Sequence, residues 1–248
     1  MDTSTYAIEA EVEATHWWFE GRRRLLGNVI RGLGVSPNAR VLDIGTSTGT
    51  NLRMLRDLGF THVEGLDSSS EAIRWCREKG LGNVSQGDVC AMPFEDETFD
   101  LVLATDIIEH VEDDLLALTE IRRVLRTGAP AVITVPAFEW LWGLQDEVAH
   151  HKRRYRGSVV RNRIEQARLR CLESFYFNYL LLLPIFAARQ IIRILRVNLQ
   201  SENSLNSRYI NAILTRVFAL DVLCAPYLRA PFGVSFLAVT RKLEPEHE

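Results

Sequence analysis

The stretch VLDIGTSTGT, residues 41–50, runs from an apolar segment into Asp43, then into Gly45 and Gly49 with three small hydroxyl residues, Thr46, Ser47 and Thr48, around them. β-Branched and apolar residues followed by glycine mark a strand that ends in a tight turn. A helix carrying Leu52, Leu55 and Leu58 is predicted to follow and to stop at Gly59. A strand, a glycine turn and a helix in that order leave backbone amides pointing at whatever sits beyond the strand.

The same rhythm continues outward to Val135. HVEGLD (62–67) reads as a second strand, and Ser68 with Glu71 as a capping box for the next helix. VSQGDV (84–89), FDLVLAT (99–105) and AVITV (131–135) read as strands three to five, with a helix holding Leu115, Leu118, Ile121 and Leu125 before Gly128. Strands alternating with amphipathic helices predict a parallel sheet covered on both faces. Beyond Pro136 the pattern changes: CLESFYFN (171–178) and VSFLAVTRK (234–242) fit strands, and helical patterns at 179–197 and 208–223 lie between them, separated by a polar linker.

The expected fold class is therefore α/β, a doubly wound, mostly parallel seven-stranded sheet with an antiparallel last strand. One domain is expected, with a helical N-terminal lid (1–38), a cofactor-binding core (39–136), a substrate loop region (137–170), a helical insertion between the last two strands (179–230) and the last strand (233–242). The chain has 248 residues, 47% hydrophobic and 25% charged, with a net charge of −3, so no global field draws it to nucleic acid. Cys76, Cys90, Cys171 and Cys224 lie far apart, as free thiols of a reducing compartment would. No paired metal-ligand spacing is present, and no metal is expected. The N-terminus is acidic and lacks a signal peptide pattern, and the apolar run 175–188 is too short to span a bilayer, which predicts a cytoplasmic protein with room for peripheral membrane contact.

In open parallel sheets ligands bind beyond the carboxyl ends of the strands. Asp67 ends the second strand, where a carboxylate can accept from both hydroxyls of a ribose, and Asp88 follows the third, within reach of an adenine amino group. The GxGxxG spacing of a dinucleotide site is missing, so a nucleoside without phosphates suits the loop better.

On these residues the chain resembles the class I S-adenosylmethionine-dependent methyltransferases. VLDIGTSTGTNL resembles the first motif of that family, GLDSS the second, GDVCAMPFEDETFDLVLATDIIEHVEDD the third and fourth, and EIRRVLRTGAPAVITVPA the fifth-strand region. The resemblance implies a cofactor, S-adenosylmethionine, with its methionine part near Asp43, Gly45, Thr46 and Gly49, and its ribose at Asp67 and Ser68. It implies adenine at Asp88 and Val89, and the methionine end at Thr105 and Asp106. Two positions depart from the family pattern: Ser47 replaces the middle glycine of the first motif, and Ala129 with Pro130 replaces a glycine pair.

HWWFEGRRRLL (16–26) offers Trp17 and Trp18 either as a cover over a sulfonium or as a packed helix with Arg22–Arg24 in solvent. The loop after the fifth strand supplies Trp142, Asp146, His150, His151, Arg154 and Tyr155, suited to a substrate with an apolar body and polar or anionic groups. His110, His150 and His151 are the candidate general bases, because imidazole titrates near neutral pH. Eight Lys or Arg residues lie between Lys152 and Arg170 against Glu165 alone, with too few aromatics for base stacking, so nucleic acid is disfavoured. Arg189, Arg193 and Arg196 form a stripe at helical spacing that an anionic membrane would accept, while the apolar faces of the insertion suit a cap or a homodimer. The expected activity is methyl transfer to an oxygen or nitrogen of a small-molecule, glycan or lipid-linked acceptor. The alternatives are a non-catalytic cofactor-binding scaffold and an RNA methyltransferase.

Overall fold

The computed structural model describes residues 3–195 and 207–244, with side chains from Tyr6 onward. Seven strands form one sheet: β1 (Arg40–Ile44), β2 (His62–Asp67), β3 (Val84–Gln86), β4 (Leu101–Thr105), β5 (Pro130–Pro136), β6 (Leu169–Phe177) and β7 (Ser235–Lys242). Their order across the sheet is β3-β2-β1-β4-β5-β7-β6, and β7 alone runs antiparallel to its neighbours, β5 and β6. The order reverses between β1 and β4, which places a crevice at their carboxyl ends.

Alternation along the strands builds two cores. Val41, Leu101, Leu103, Val132, Leu237 and Val239 face one layer, and Leu42, Val102, Ala104, Ile133, Phe236 and Ala238 face the other. The first layer is covered by α2 (Trp17–Gly32), α3 (Thr50–Asp57), α4 (Ser70–Glu78) and α9 (Arg208–Leu228). The second is covered by α5 (Asp114–Val124) and α7 (Gly157–Gln166). The remaining helices are α1 (Thr3–Val12), α6 (Leu144–Val148) and α8 (Leu182–Leu195).

Several boundaries differ from the sequence reading. The cap of α4 is Ser69, whose hydroxyl accepts from the Ala72 N–H at 3.4 Å; Ser68 lies one residue outside, and Glu71 pairs instead with Arg74. Helix α9 extends through Pro226 to Leu228, and by length and composition it is the one helix among the described residues able to cross a membrane. Its Phe218, Val222 and Ala225 are nevertheless buried in the first core, against α2 and the sheet. All four cysteines are unpaired.

The arginine stripe is split, with Arg189 turned inward and Arg193 exposed. The Arg189 guanidinium donates to the Leu141 carbonyl and lies 3.8 Å from Asp146, and Arg193 donates to the Trp142 carbonyl at 3.5 Å. Two of the three arginines therefore fasten α8 to the loop after β5; Arg196 lies outside the described residues. What α8 and α9 leave open is apolar: Leu183, Ile191 and Ile194 on one, Tyr209, Ile213 and Tyr227 on the other are all exposed.

Candidate functional site

A cavity of about 540 Å³ opens at the carboxyl ends of β1, β2, β4 and β5. At one end it is lined by Gly45, Thr46, Ser47, Asp67, Ser68, Asp88 and Val89. The Asp67 carboxylate accepts the Ser47 N–H at 3.0 Å and the Ser69 N–H at 2.9 Å, so two amides of two loops hold it in place. Burial raises its pKa and those amides oppose the rise. Asp88 accepts the Cys90 N–H at 2.8 Å, which turns the chain and brings Val89 to the wall.

The glycines of the first loop act differently from one another. Gly45 has φ +73°, and a Cβ there would fall 1.8 Å from Ile107 Cδ1, so the turn closes by letting Ile107 pack onto bare backbone. Gly49 caps α3 with φ +87° and faces Leu81 and Cys76 of the core, outside the cavity lining. Ser47 adopts φ +48°, a left-handed conformation that the glycine of the usual motif reaches without strain. Its hydroxyl donates to Glu9 of α1 at 2.9 Å, and Tyr6 and Glu9 also line the cavity. Glu13, just beyond α1, accepts from Thr48, from Thr50 at 2.9 Å and from Lys79 at 2.7 Å.

Asp43 lies beneath the floor, fully buried, and is not part of the lining. Asn51 Nδ2 donates both to Asp43 Oδ1 at 3.0 Å and to Thr105 Oγ1 at 2.9 Å, tying β1 to β4. Asp43 Oδ2 has no hydrogen-bond partner among the described residues, and burial pushes the carboxyl up to about 7.

In the middle of the cavity, Thr105 and Asp106 meet a residue that sequence reasoning placed in solvent. Arg22 Nη2 lies 3.0 Å from Asp106 Oδ2 and 3.0 Å from the Thr105 carbonyl. Trp17 and Trp18 also line the cavity and at the same time pack as part of helix α2. Trp18 stacks on Phe218 with centroids 5.5 Å apart, and Trp17 meets the same ring edge-on at 5.6 Å.

The far end holds Glu109, His110, Asp146, His150 and His151. His151 Nδ1 is 2.8 Å from Asp146 Oδ1, and the His110 and His151 rings stand perpendicular with centroids 4.7 Å apart. Burial, aided by the neighbouring His151, pushes His110 down to about 4, so its ring is neutral at ordinary pH. Burial acts to raise Asp146, but His151, Arg154 and Arg189 outweigh it and hold the carboxyl below its usual range. Glu109 is driven well above the carboxylate range by burial and by the charge of Asp106. His150 is exposed at the rim, at φ +56°.

Of the expected substrate contacts, Tyr155 and Trp142 lie outside the lining, while Arg154 lines the cavity and is also bonded to protein groups. Arg154 makes two bonds to Asp146, at 2.8 and 2.9 Å, and donates to the carbonyls of Ala137 at 2.9 Å and Val234 at 3.1 Å. A guanidinium bonded in this way clamps the loop after β5. Tyr155 is buried outside the lining, its hydroxyl 3.2 Å from the Ile108 carbonyl and 3.0 Å from Asp114, and burial raises its pKa. Trp142 also lies outside the lining.

Part of the basic run from Lys152 is held in ion pairs: Lys152 with Glu112, Arg153 with Asp114 at 3.6 Å, and Arg163 with Asp114 at 3.2 Å. One polar residue of the cavity gave no sequence signal. Asn178 is fully buried, lines the cavity, and neither its amide nitrogen nor its oxygen has a hydrogen-bond partner among the described residues.

Residues 42–133 match the family model described as a methyltransferase domain. A demethylmenaquinone methyltransferase of Staphylococcus aureus is 31% identical over 138 residues, 51% of this chain and 57% of that protein. The chain spans 34% to 57% of the length of the first curated relatives it matches. Among solved structures, a chain of the complex between the Haloferax volcanii Trm112 methyltransferase activator and its methyltransferase has a TM-score of 0.67 at 21% identity, covering 99% of this chain and 97% of that one. The [4+2]-cyclase SpnF has a TM-score of 0.59 at 20% identity, covering 89% and 80%. Residues 42–133 thus carry a methyltransferase domain, set in a fold shared with the Haloferax volcanii chain.

Proposed function

We propose that the protein transfers a methyl group from S-adenosylmethionine to an oxygen or nitrogen of an acceptor with an apolar body, a small molecule or a glycan- or lipid-linked one. The observation that carries this reading is the single cavity joining Asp67 and Asp88 at one end to Glu109, His110 and His151 at the other. Asp67 and Ser68 take the ribose hydroxyls, Asp88 and Val89 the adenine, and the Arg22–Asp106 pair with Thr105 the methionine end. Trp17 and Trp18 present ring faces where a sulfonium would lie.

Methyl transfer from a sulfonium is an in-line displacement. The acceptor's lone pair forms the new bond to the methyl carbon, and the carbon–sulfur pair stays on sulfur. The donor is already activated, so alignment and exclusion of water supply much of the acceleration. The acceptor's proton leaves near the Glu109–His110–His151 cluster, where His151 is oriented by Asp146. Trp17, Trp18, Ile185 and Val234 line the path for an apolar acceptor body, and Asn178 offers both a donor and an acceptor. The exposed apolar residues of α8 and α9 favour a lipid-linked acceptor presented at a membrane surface, in line with the demethylmenaquinone named for one relative.

A second reading stays in view because SpnF, named as a cyclase, shares this fold: a protein that binds the cofactor without transferring its methyl group. Calorimetric titration of S-adenosylmethionine and its demethylated product, with Asp67→Ala alongside, tests the cofactor site. Binding to the wild type weakened at least tenfold by the substitution supports it, and absent binding overturns it. Turnover against a panel of quinol, sterol and polyprenyl-linked acceptors then separates transfer from cofactor binding alone.

A further inference from the structure

We infer that Glu109, His110 and His151 form a binding site for a divalent first-row transition-metal ion at the acceptor end of the cavity. One ligand atom from each lies within 4.8 Å of the others. Bonds of about 2.0–2.2 Å to nitrogen and oxygen put ligand atoms roughly 3–3.5 Å apart, so side-chain rotations of an ångström or two close the set.

The first independent sign is Glu109 itself. Its carboxylate is fully buried, lines the cavity, and neither oxygen has a hydrogen-bond partner among the described residues; the neighbouring His151 Nε2 is 4.0 Å away. A buried carboxylate without partners is costly unless a cation or a proton satisfies it. The cations that could do so are engaged elsewhere. Arg22 is paired with Asp106 at 3.0 Å, and Arg154 with Asp146 at 2.8 Å.

The second sign is the support behind the two imidazoles. His151 presents Nδ1 to Asp146 at 2.8 Å, which turns Nε2 toward Glu109, and the His110 ring bonds to the Ala149 backbone. Metal-binding histidines have this arrangement, in which one nitrogen is fixed by a carboxylate or carbonyl and the other binds the ion. Two imidazoles and one carboxylate favour zinc, manganese, cobalt or ferrous iron over magnesium or calcium, which prefer oxygen ligands throughout. Three protein ligands leave coordination positions open toward the cavity.

The use of those open positions rests on the methyl-transfer reading. A hydroxyl of the acceptor bound there gives up its proton to water on binding, because the ion lowers its pKa. The resulting oxyanion forms the O–C bond as the S–C pair returns to sulfur. The ion thereby takes over the task for which a histidine base was expected.

The test uses tag-free full-length protein freed of metal with a chelator. Cobalt(II) is titrated and followed by visible absorption, zinc(II) is added in competition, and S-adenosylmethionine binding is measured calorimetrically on the same samples. One cobalt per chain, displaced by zinc, is expected. Glu109→Gln, His110→Ala and His151→Ala should each weaken binding at least tenfold, and Asp146→Asn by about 10–100-fold, with circular dichroism and cofactor affinity preserved. No cobalt binding by a wild type that binds the cofactor overturns the site, as does cobalt binding that persists in the His110→Ala/His151→Ala double variant. Cobalt bound without cofactor binding supports the ion site and overturns methyl transfer; if neither binds, both fall.

Discussion

The Ser47 hydroxyl donates to Glu9 Oε2 across 2.9 Å, so the glycine loop after β1 and the first helix of the chain share a hydrogen bond at the rim of the cavity. Helix α1 thus reaches the Asp67 end of the cavity through a residue that stands where the methyltransferase first motif has glycine. Ser47→Gly removes the bond but also relieves a non-glycine residue at φ +48°, so the two effects on stability oppose each other and should leave a net change within about 1 kcal/mol. Release of the demethylated product should instead quicken several-fold, in Ser47→Gly and Glu9→Ala alike. Stopped-flow displacement measures it; unchanged release rates in both variants would show that the contact does not retain ligand.

Asp43 sets a pH dependence. Its folded pKa is raised, by burial first, to about 7, above an unfolded value of about 3.9. The native state therefore holds a proton that the unfolded chain gives up, so this contribution to stability is full below about 3.9 and is lost as pH rises through about 7. Denaturant midpoints should fall between pH 5 and 8, by an amount on the order of a few kcal/mol at most. Asp43→Asn should flatten that fall; an equally steep curve in the variant would place its origin elsewhere.

The sequence showed the half of the molecule whose logic is local. From Arg40 to Pro136 the strands are short, mostly apolar runs and β1 to β4 each end at or near an aspartate, so the sheet and the placement of Asp67, Asp88 and Thr105 were legible. Partnerships across distance were not. Arg22 looked like one of three surface arginines, because nothing near it signals the Thr105–Asp106 segment that it grips. Arg154 and Tyr155 had the chemistry of ligand contacts, and only the fold shows that Asp146 and Asp114 occupy them. Ser68 and Ser69 are chemically equal as caps, and the register of α4 alone decides between them.

Gly21 on α2 faces the Phe218 ring of α9, and a Cβ there would lie 2.2 Å from Cδ1. Gly21→Ala should destabilise by about 1–3 kcal/mol through overpacking, and Phe218→Ala by about 3–5 kcal/mol through the cavity it leaves. The double variant should lose less than the sum, since the smaller side chain makes room for the new methyl group. Chemical denaturation of the four proteins measures the coupling, with Trp18 fluorescence reporting the packed ring. Strict additivity would mean that α2 and α9 do not press on each other here.

Asn178 is predicted to act on the acceptor alone. Its backbone is held by Asp221 at 2.7 Å and has φ +58°, which glycine tolerates, so Asn178→Gly should fold while removing only the buried amide. The KM for the acceptor should rise about tenfold with kcat little changed, and S-adenosylmethionine affinity should stay within about twofold. An unaltered KM would remove Asn178 from the acceptor site.

Strand β7 sits between β5 and β6 although it follows β6 in the chain by way of α8 and α9. Among the described residues β6 joins the sheet only through β7, by a pairing across a long sequence separation. Asn178 ends β6 and Val234 precedes β7, joined by a backbone bond of 3.3 Å, and both line the cavity. The Asp67 and Asp88 end of the cavity therefore rests on β1 to β4, whereas the Asn178 and Val234 wall rests on β6 and β7. On the proposed reading, cofactor and acceptor thus depend on separately built parts of one sheet.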